Sequence, residues 1–197
     1  MSKSSKPAQL EFVKSAVYPA DYPPAKLPEV AVAGRSNAGK SSFFNALCGS
    51  AKMAKVSSTP GKTRLLNFFI VNKKYCMVDM PGYGFASRAG AEMRDWQKMI
   101  EDYLGTRENL RGLILVMDSR REWTEDEELL KQYLEPRGIP MIVVLTKADK
   151  LTKNEMNKAL TLIKKQSTLS NVFMTSALER EGQDIVEDFI YKNWIKA

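Results

Sequence analysis

The stretch Val30-Ala31-Val32-Ala33-Gly34-Arg35-Ser36-Asn37-Ala38-Gly39-Lys40-Ser41-Ser42 decides the fold. A short apolar run leads into Gly-x4-Gly-Lys-Ser and then into a helix-compatible segment, the order of strand, phosphate loop and helix. Gly34 and Gly39 let the backbone wrap closely around phosphate, so that successive N–H groups and the helix N-terminus point at a β-phosphate. Lys40 reaches the β and γ oxygens. Ser41 is placed to give its hydroxyl to Mg²⁺, which prefers oxygen ligands and keeps several waters. Residues Gly34, Arg35, Ser36, Asn37, Ala38, Gly39, Lys40 and Ser41 are therefore candidate nucleotide ligands.

Outward from this loop, short apolar runs alternate with amphipathic stretches. Strands are expected at 29–34, 65–72, 74–79, 111–118, 139–146 and 171–175, and helices at 40–48, 92–104, 124–135, 152–166 and 182–195. This predicts an α/β P-loop NTPase: a mainly parallel six-stranded sheet with helices on both faces. The runs flanking Asn72-Lys73-Lys74 read as a hairpin, which makes one strand antiparallel at the sheet edge. Thr124 and Glu127 are spaced as a capping box. Residues 1–28 hold five of the nine prolines (Pro7, Pro19, Pro23, Pro24, Pro28). They read as an N-terminal extension to a nucleotide-binding domain at 29–197, with Phe12, Val13 and Val17 able to pack onto its body. Trp194 reads as a packing anchor for the last helix.

Two further apolar runs end in carboxylates. Asp79, with Met80, Pro81 and Gly82, closes a strand where an Asp can hold Mg²⁺ through a water and a Gly N–H can sense a γ-phosphate. Thr146-Lys147-Ala148-Asp149 closes another. A carboxylate there can accept N1–H and N2–H₂ of guanine, a donor pair that adenine lacks, while the Lys147 stem packs on the ring. Thr175-Ser176-Ala177 follows the last strand and can offer a backbone N–H to guanine O6.

The 197 residues suit one compact domain, and 44% hydrophobic with 27% charged residues is the composition of a chain that buries a core. No apolar run approaches the roughly 18 residues needed to cross a bilayer. The N-terminus does not read as a secretory leader, so the expectation is a cytoplasmic protein with no membrane partner. With no histidine and only Cys48 and Cys76, neither a zinc site with the usual ligands nor histidine acid/base catalysis is available. The net charge of +7 favours a polyanionic partner or simply a well-solvated surface.

The sequences Gly34–Ser42, Ser57-Ser58-Thr59-Pro60-Gly61-Lys62-Thr63-Arg64 and Asp79-Met80-Pro81-Gly82-Tyr83-Gly84-Phe85-Ala86 together resemble the EngB (YihA/YsxC) family of TRAFAC-class bacterial GTPases. The resemblance implies that GTP or GDP is the bound nucleotide and that Gly61, Lys62, Thr63, Arg64 and Leu65 line it. Thr63 is then the switch threonine that joins Ser41 on Mg²⁺, with Thr59 as local rival. It also implies a role in assembly of the large ribosomal subunit, with ribosomal RNA as partner, and in normal cell division and septation. The family shares Thr146 where most GTPases carry Asn. Tyr83 stands where many signalling GTPases have the Gln that orients the attacking water, so slow hydrolysis is expected. Asn37 resembles the residue of potassium-stimulated relatives that helps hold a K⁺ ion. It can equally stabilise its own turn. Lys40, Thr63 and Asn37 are the candidate catalytic residues. Lys52, Lys55, Lys62, Arg64, Arg88 and Arg94, interspersed with Tyr83, Phe85 and Trp96, suit an RNA-facing surface or an ordinary solvated one. A monomer is expected. An ATP-using P-loop kinase and a nucleotide-binding module with negligible turnover are the alternatives.

Overall fold

The computed structural model describes residues 8–48, 65–83 and 91–196, without the side chains of Cys48 and residues 91–96. Strands β1 (Leu10–Ala16), β2 (Glu29–Gly34), β3 (Leu66–Val71), β4 (Tyr75–Asp79), β5 (Leu110–Asp118), β6 (Met141–Thr146) and β7 (Val172–Met174) form one sheet in the order β1-β3-β4-β2-β5-β6-β7. The helices are α1 (Lys40–Cys48), α2 (Ala91–Thr106), α3 (Glu125–Leu134), α4 (Lys153–Ser167) and α5 (Gln183–Ile190), which continues as a π-helical turn over Tyr191–Ile195. Among the described residues, no helix is long and apolar enough to cross a membrane.

The α/β P-loop architecture is as the sequence predicts, but the sheet has seven strands rather than six. The additional strand, β1, lies within the proline-rich stretch read as an extension, between Pro7 and Pro19. It pairs antiparallel with β3, with a register shift between Phe12 and Lys14. β3 is thus the antiparallel strand, as expected, but it sits one place in from the edge. The physical reason is visible in β3 itself. Leu66, Phe68, Phe69 and Val71 are buried, and an uncovered outer edge there would leave a row of unpaired backbone groups beside apolar side chains. Phe12 packs on Phe69 with ring centroids 5.5 Å apart. Val17 packs against the core, whereas Val13 stays exposed at the shift.

The hairpin between β3 and β4 turns on Asn72 and Lys73, both left-handed at φ 50° and 57°. Lys74 N–H donates to the Val71 carbonyl at 2.9 Å. Two consecutive left-handed residues give the turn a twist that matches the strands.

The sheet separates two cores, and each central strand feeds both by alternation. Ala31, Ala33, Leu113 and Leu115 face the helices α2, α3 and α4, where Met99, Tyr103, Leu134 and Ile163 are buried. Val30, Val32, Ile114 and Val116 face α1 and α5, with Phe43, Phe44, Val186 and Ile190. Side chains that are fully buried on both faces make β2 and β5 rigid axes, each burial contributing about 1.5–3 kcal/mol for the large residues. Met80 and Met99 belong to the core. Trp194 is buried, as expected of an anchor, and its ring lies against Gly112 so closely that a Cβ there would sit 2.6 Å from it.

The parallel register aligns the C-terminal ends. Val32 is opposite Asp79, Gly34 opposite Val116, and Asp118 opposite Thr146. All these ends open on the same edge, where ligands of open α/β sheets bind.

Candidate guanine nucleotide site

The phosphate loop leaves β2 at Gly34 and enters α1 at Lys40. Asn37 (φ 64°) and Gly39 (φ 89°) are both left-handed. At Gly39 this conformation and the neighbouring Thr146 hydroxyl, 2.9 Å from where a Cβ would be, together require glycine. Ala38 N–H donates to the Arg35 carbonyl at 3.1 Å, and Phe43 N–H starts the helical ladder on the Gly39 carbonyl at 2.8 Å. The loop between them therefore points its remaining amides outward at the helix N-terminus, a geometry that attracts anions.

Lys40 meets the Asp79 carboxylate in an ion pair that is largely buried. Ser41 opens α1 beside it. The Ser41 hydroxyl and the Asp79 carboxylate are hard oxygen donors, and this donor set fits Mg²⁺, which takes few protein ligands and completes its shell with water and phosphate oxygens. Thr63, the other proposed metal ligand, lies outside the described residues, as do Gly61, Lys62 and Arg64; Leu65 is the first described residue after them.

Beyond Asp79, Met80 N–H donates to the Val32 carbonyl at 3.0 Å. After Pro81 and Gly82 the chain runs alongside the phosphate loop. Ser36 N–H donates to the Tyr83 carbonyl at 3.1 Å and Tyr83 N–H to the Gly34 carbonyl at 3.4 Å. The Tyr83 side chain reaches α3. Its hydroxyl donates to Glu127 at 2.9 Å in a buried setting. Burial, and then the Glu127 charge, push the phenol well above its ordinary value, so it remains a protonated donor.

The Arg35 side chain reaches toward α3. Its guanidinium lies 3.2 Å from Asp126 and 3.8 Å from Glu127, and it donates to Thr124 at 3.3 Å. These acids open α3 under the Thr124–Glu127 capping box that the spacing predicts, where the helix dipole and the arginine both stabilise them. Arg35 thus contributes its backbone to the loop and its charge to α3.

The base side is assembled from β6 and β7. The Thr146 hydroxyl lies 2.6 Å from the Ala38 carbonyl and 3.0 Å from the Met117 carbonyl, which ties the Thr-Lys-Ala-Asp motif to the phosphate loop. Lys147 is left-handed at φ 61°, and its ammonium donates to the Asn37 carbonyl at 2.9 Å. Ala148 N–H donates to the Thr175 carbonyl at 3.1 Å. Asp149 accepts from the Ser176 hydroxyl at 2.9 Å and lies 3.3 Å from the Lys150 ammonium. The Ser176 bond, with support from Lys150, holds its carboxyl below the usual carboxylate range, so it is an ionised acceptor. Ser176 N–H is taken by the Glu181 carbonyl at 3.0 Å.

The Asn37 carbonyl is tied down by the Lys147 ammonium. Spacing does not single out Asp118, Ser119 and Arg120 after β5, nor the bond from Tyr83 to the capping-box residue Glu127. A signal was present for the first: β5 is an apolar run ending in a carboxylate at the same sheet edge as Asp79.

A family model described as "50S ribosome-binding GTPase" matches residues 29–147. The protein named "Probable GTP-binding protein EngB" from Bdellovibrio bacteriovorus is 65% identical over 190 residues, covering 96% of this chain and 94% of that one. A protein of the same name from Geobacter metallireducens is 47% identical, covering 92% of this chain and 90% of its own. Among solved structures, one described as "a probable GTP-binding protein engB" superposes with a TM-score of 0.68 at 23% identity, covering 83% of this chain and 97% of that one. Era in complex with MgGDPNP and nucleotides of 16S ribosomal RNA superposes with a TM-score of 0.61 at 27% identity, covering 86% of this chain and 57% of that one. The kinase alternative falls away, and the binding-only alternative with it. Matched in sequence over nearly its whole length and in the order of its motifs, this chain is a GTP hydrolase and belongs to the EngB family of GTP-binding proteins.

Proposed function

We propose that this protein is a slow GTP-dependent switch in assembly of the large ribosomal subunit, and through that role is needed for normal cell division and septation. The observation that carries the slow rate is Tyr83. Its hydroxyl is committed to buried Glu127, so it cannot orient a water at the γ-phosphate, and Arg35 is committed to α3. Phosphoryl transfer depends on positioning and charge neutralisation, and among the described residues neither Tyr83 nor Arg35 is free to supply them.

In this reading residues 29–197 bind the nucleotide. Residues Gly34–Ser41 cradle the phosphates, Lys40 leaves Asp79 for the β and γ oxygens, and Gly82 N–H senses the γ-phosphate together with Met80 and Pro81. Ser41 and Thr63 hold Mg²⁺, with Asp79 acting through a water; the ion when bound neutralises phosphate charge. Asn37 helps hold K⁺, which supplies charge that an arginine would otherwise bring. Asp149, Lys147 and Ala177 recognise guanine. The Era complex with MgGDPNP and ribosomal RNA, a structural relative, and the description of the matching family support magnesium and a ribosomal partner. The charge of +7 suits RNA, with the basic residues of 52–64 and 88–94 as the contact. The protein acts as a cytoplasmic monomer.

Two assays test this. Large ribosomal subunits should co-sediment with the protein in a non-hydrolysable GTP analogue and release it in GDP, and they should speed turnover. Binding that ignores the nucleotide would refute the switch, and equal turnover in potassium and sodium buffers would refute the K⁺ role.

A further inference from the structure

The carboxylate that ends β5 is left without a role by the reading above, yet it lies opposite Thr146 and in contact with Lys147. Asp118 is buried to 5% exposure. Arg120 grips both its oxygens, Nε to Oδ1 at 2.9 Å and Nη2 to Oδ2 at 2.7 Å, and adds its own N–H at 3.1 Å. The remaining contact is the Lys147 ammonium, 2.9 Å from Oδ2. That same ammonium donates to the Asn37 carbonyl, so one lysine bridges β5 and the phosphate loop. The backbone is fixed beside it, because Ser119 N–H donates to the Thr146 carbonyl at 3.0 Å.

Lysine is a compact charge on a flexible four-carbon stem, and unanchored it samples many rotamers. Here both Lys147 and Asn37 are non-glycine residues in left-handed backbone, which persists only where the surroundings over-determine it. The Asp118 carboxylate, itself oriented by a bidentate arginine, is the group that selects one rotamer of Lys147.

We propose that Asp118 is a positioning residue for guanine nucleotide binding: held by Arg120, it locks the Lys147 stem along the base and ties it to the phosphate loop at Asn37. The proposal rests on the reading of Lys147 as the residue that packs on guanine. Asp118 acts through Lys147 and touches no nucleotide atom. It therefore slows release of GDP and GTP alike and leaves the base preference to Asp149.

The test is the dissociation rate of a fluorescent GDP from the full chain with Mg²⁺. Asp118→Ala should release it about tenfold faster, the effect of losing one hydrogen bond to a charged group. Asp118→Asn, whose carboxamide oxygen still accepts from Lys147, should fall between Asp118→Ala and wild type. The discriminating measurement is a double-mutant cycle. If Asp118 works through Lys147, then Asp118→Ala in a Lys147→Ala background accelerates release no further, and the ratio of guanine to xanthine affinity is unchanged throughout. A purely structural role would instead let the two effects multiply. Wild-type release from Asp118→Ala, or multiplying effects, overturns the proposal. Should Asp118→Ala not fold, the same cycle run with Asp118→Asn decides. A wild-type protein that binds no GDP would instead overturn the guanine reading itself.

Discussion

The two ends of β2 are both charged, and they do opposite things. At its start, Glu29 is 2% exposed. Its carboxylate takes Arg107 through both oxygens, at 2.6 and 2.9 Å, and the Tyr103 hydroxyl at 3.1 Å. Arg107 also donates to the Pro23 carbonyl at 2.7 Å. Every partner is supplied by the protein and nothing is left for a ligand. At the far end, Lys40 pairs with Asp79, but each has a second task that a nucleotide and its metal would claim. The backbone there carries left-handed residues at 37, 39 and 147, in two loops that contact each other, whereas at the first end Asn72 and Lys73 are left-handed to turn a hairpin. A buried ion pair whose partners have no alternative fastens the fold. One whose partners are each wanted elsewhere marks a site.

Mutations should respect this division, and the largest effect belongs to the fastened end. Glu29→Ala leaves the Arg107 charge unpaired and should cost about 3–5 kcal/mol of unfolding free energy in urea titrations. The folded fraction should keep wild-type GDP affinity, and a weakened affinity would break the comparison. Gly112→Ala drives a methyl group into the Trp194 ring on the same rigid framework. It should cost about 1–3 kcal/mol, read as a lower Tm, again with nucleotide affinity intact.

At the other end the expected stability effects are smaller and the functional ones larger. Tyr83→Phe removes the donor to Glu127 and should cost about 1 kcal/mol, while single-turnover hydrolysis stays within about twofold of wild type, since the phenol faces α3. A large fall in rate would place the hydroxyl at the reacting phosphate. The smallest effect concerns pH. Arg120, and then Lys147, hold the Asp118 carboxyl well below its ordinary value. Its stabilising contribution is therefore fully present above the unfolded carboxylate range, about pH 4, and is lost as pH falls toward the folded value. Wild type should exceed Asp118→Asn by less than about 1 kcal/mol at pH 6, because solvent screens this edge. The gap between their urea midpoints should narrow by pH 3.

What could be read from sequence was local. The phosphate loop, the hairpin at Asn72–Lys73 and the box at Thr124–Glu127 each complete their geometry within a few residues, so spacing predicts them. β1 escaped because prolines flank it and its outer residues are mostly exposed. Only β3, more than fifty positions on, explains why it must be a strand. Glu127 looked like a cap and no more, since its partner Tyr83 is 44 positions away. Asp118 ends an apolar run as Asp79 does, but its contact with Lys147 joins separate strands and no local spacing shows it.

The central claim is that Asp149 reads guanine beyond the C-terminal ends of β6 and β7. Calorimetric titration of wild type and Asp149→Asn with the Mg²⁺ salts of GTP, ATP and xanthosine triphosphate tests it most directly. Wild type should bind GTP and not ATP, and the variant should lose about 100-fold in GTP affinity, the worth of two hydrogen bonds to a charged acceptor, while gaining xanthosine triphosphate. Equal binding of GTP by the two proteins, or of GTP and ATP by the wild type, would contradict it.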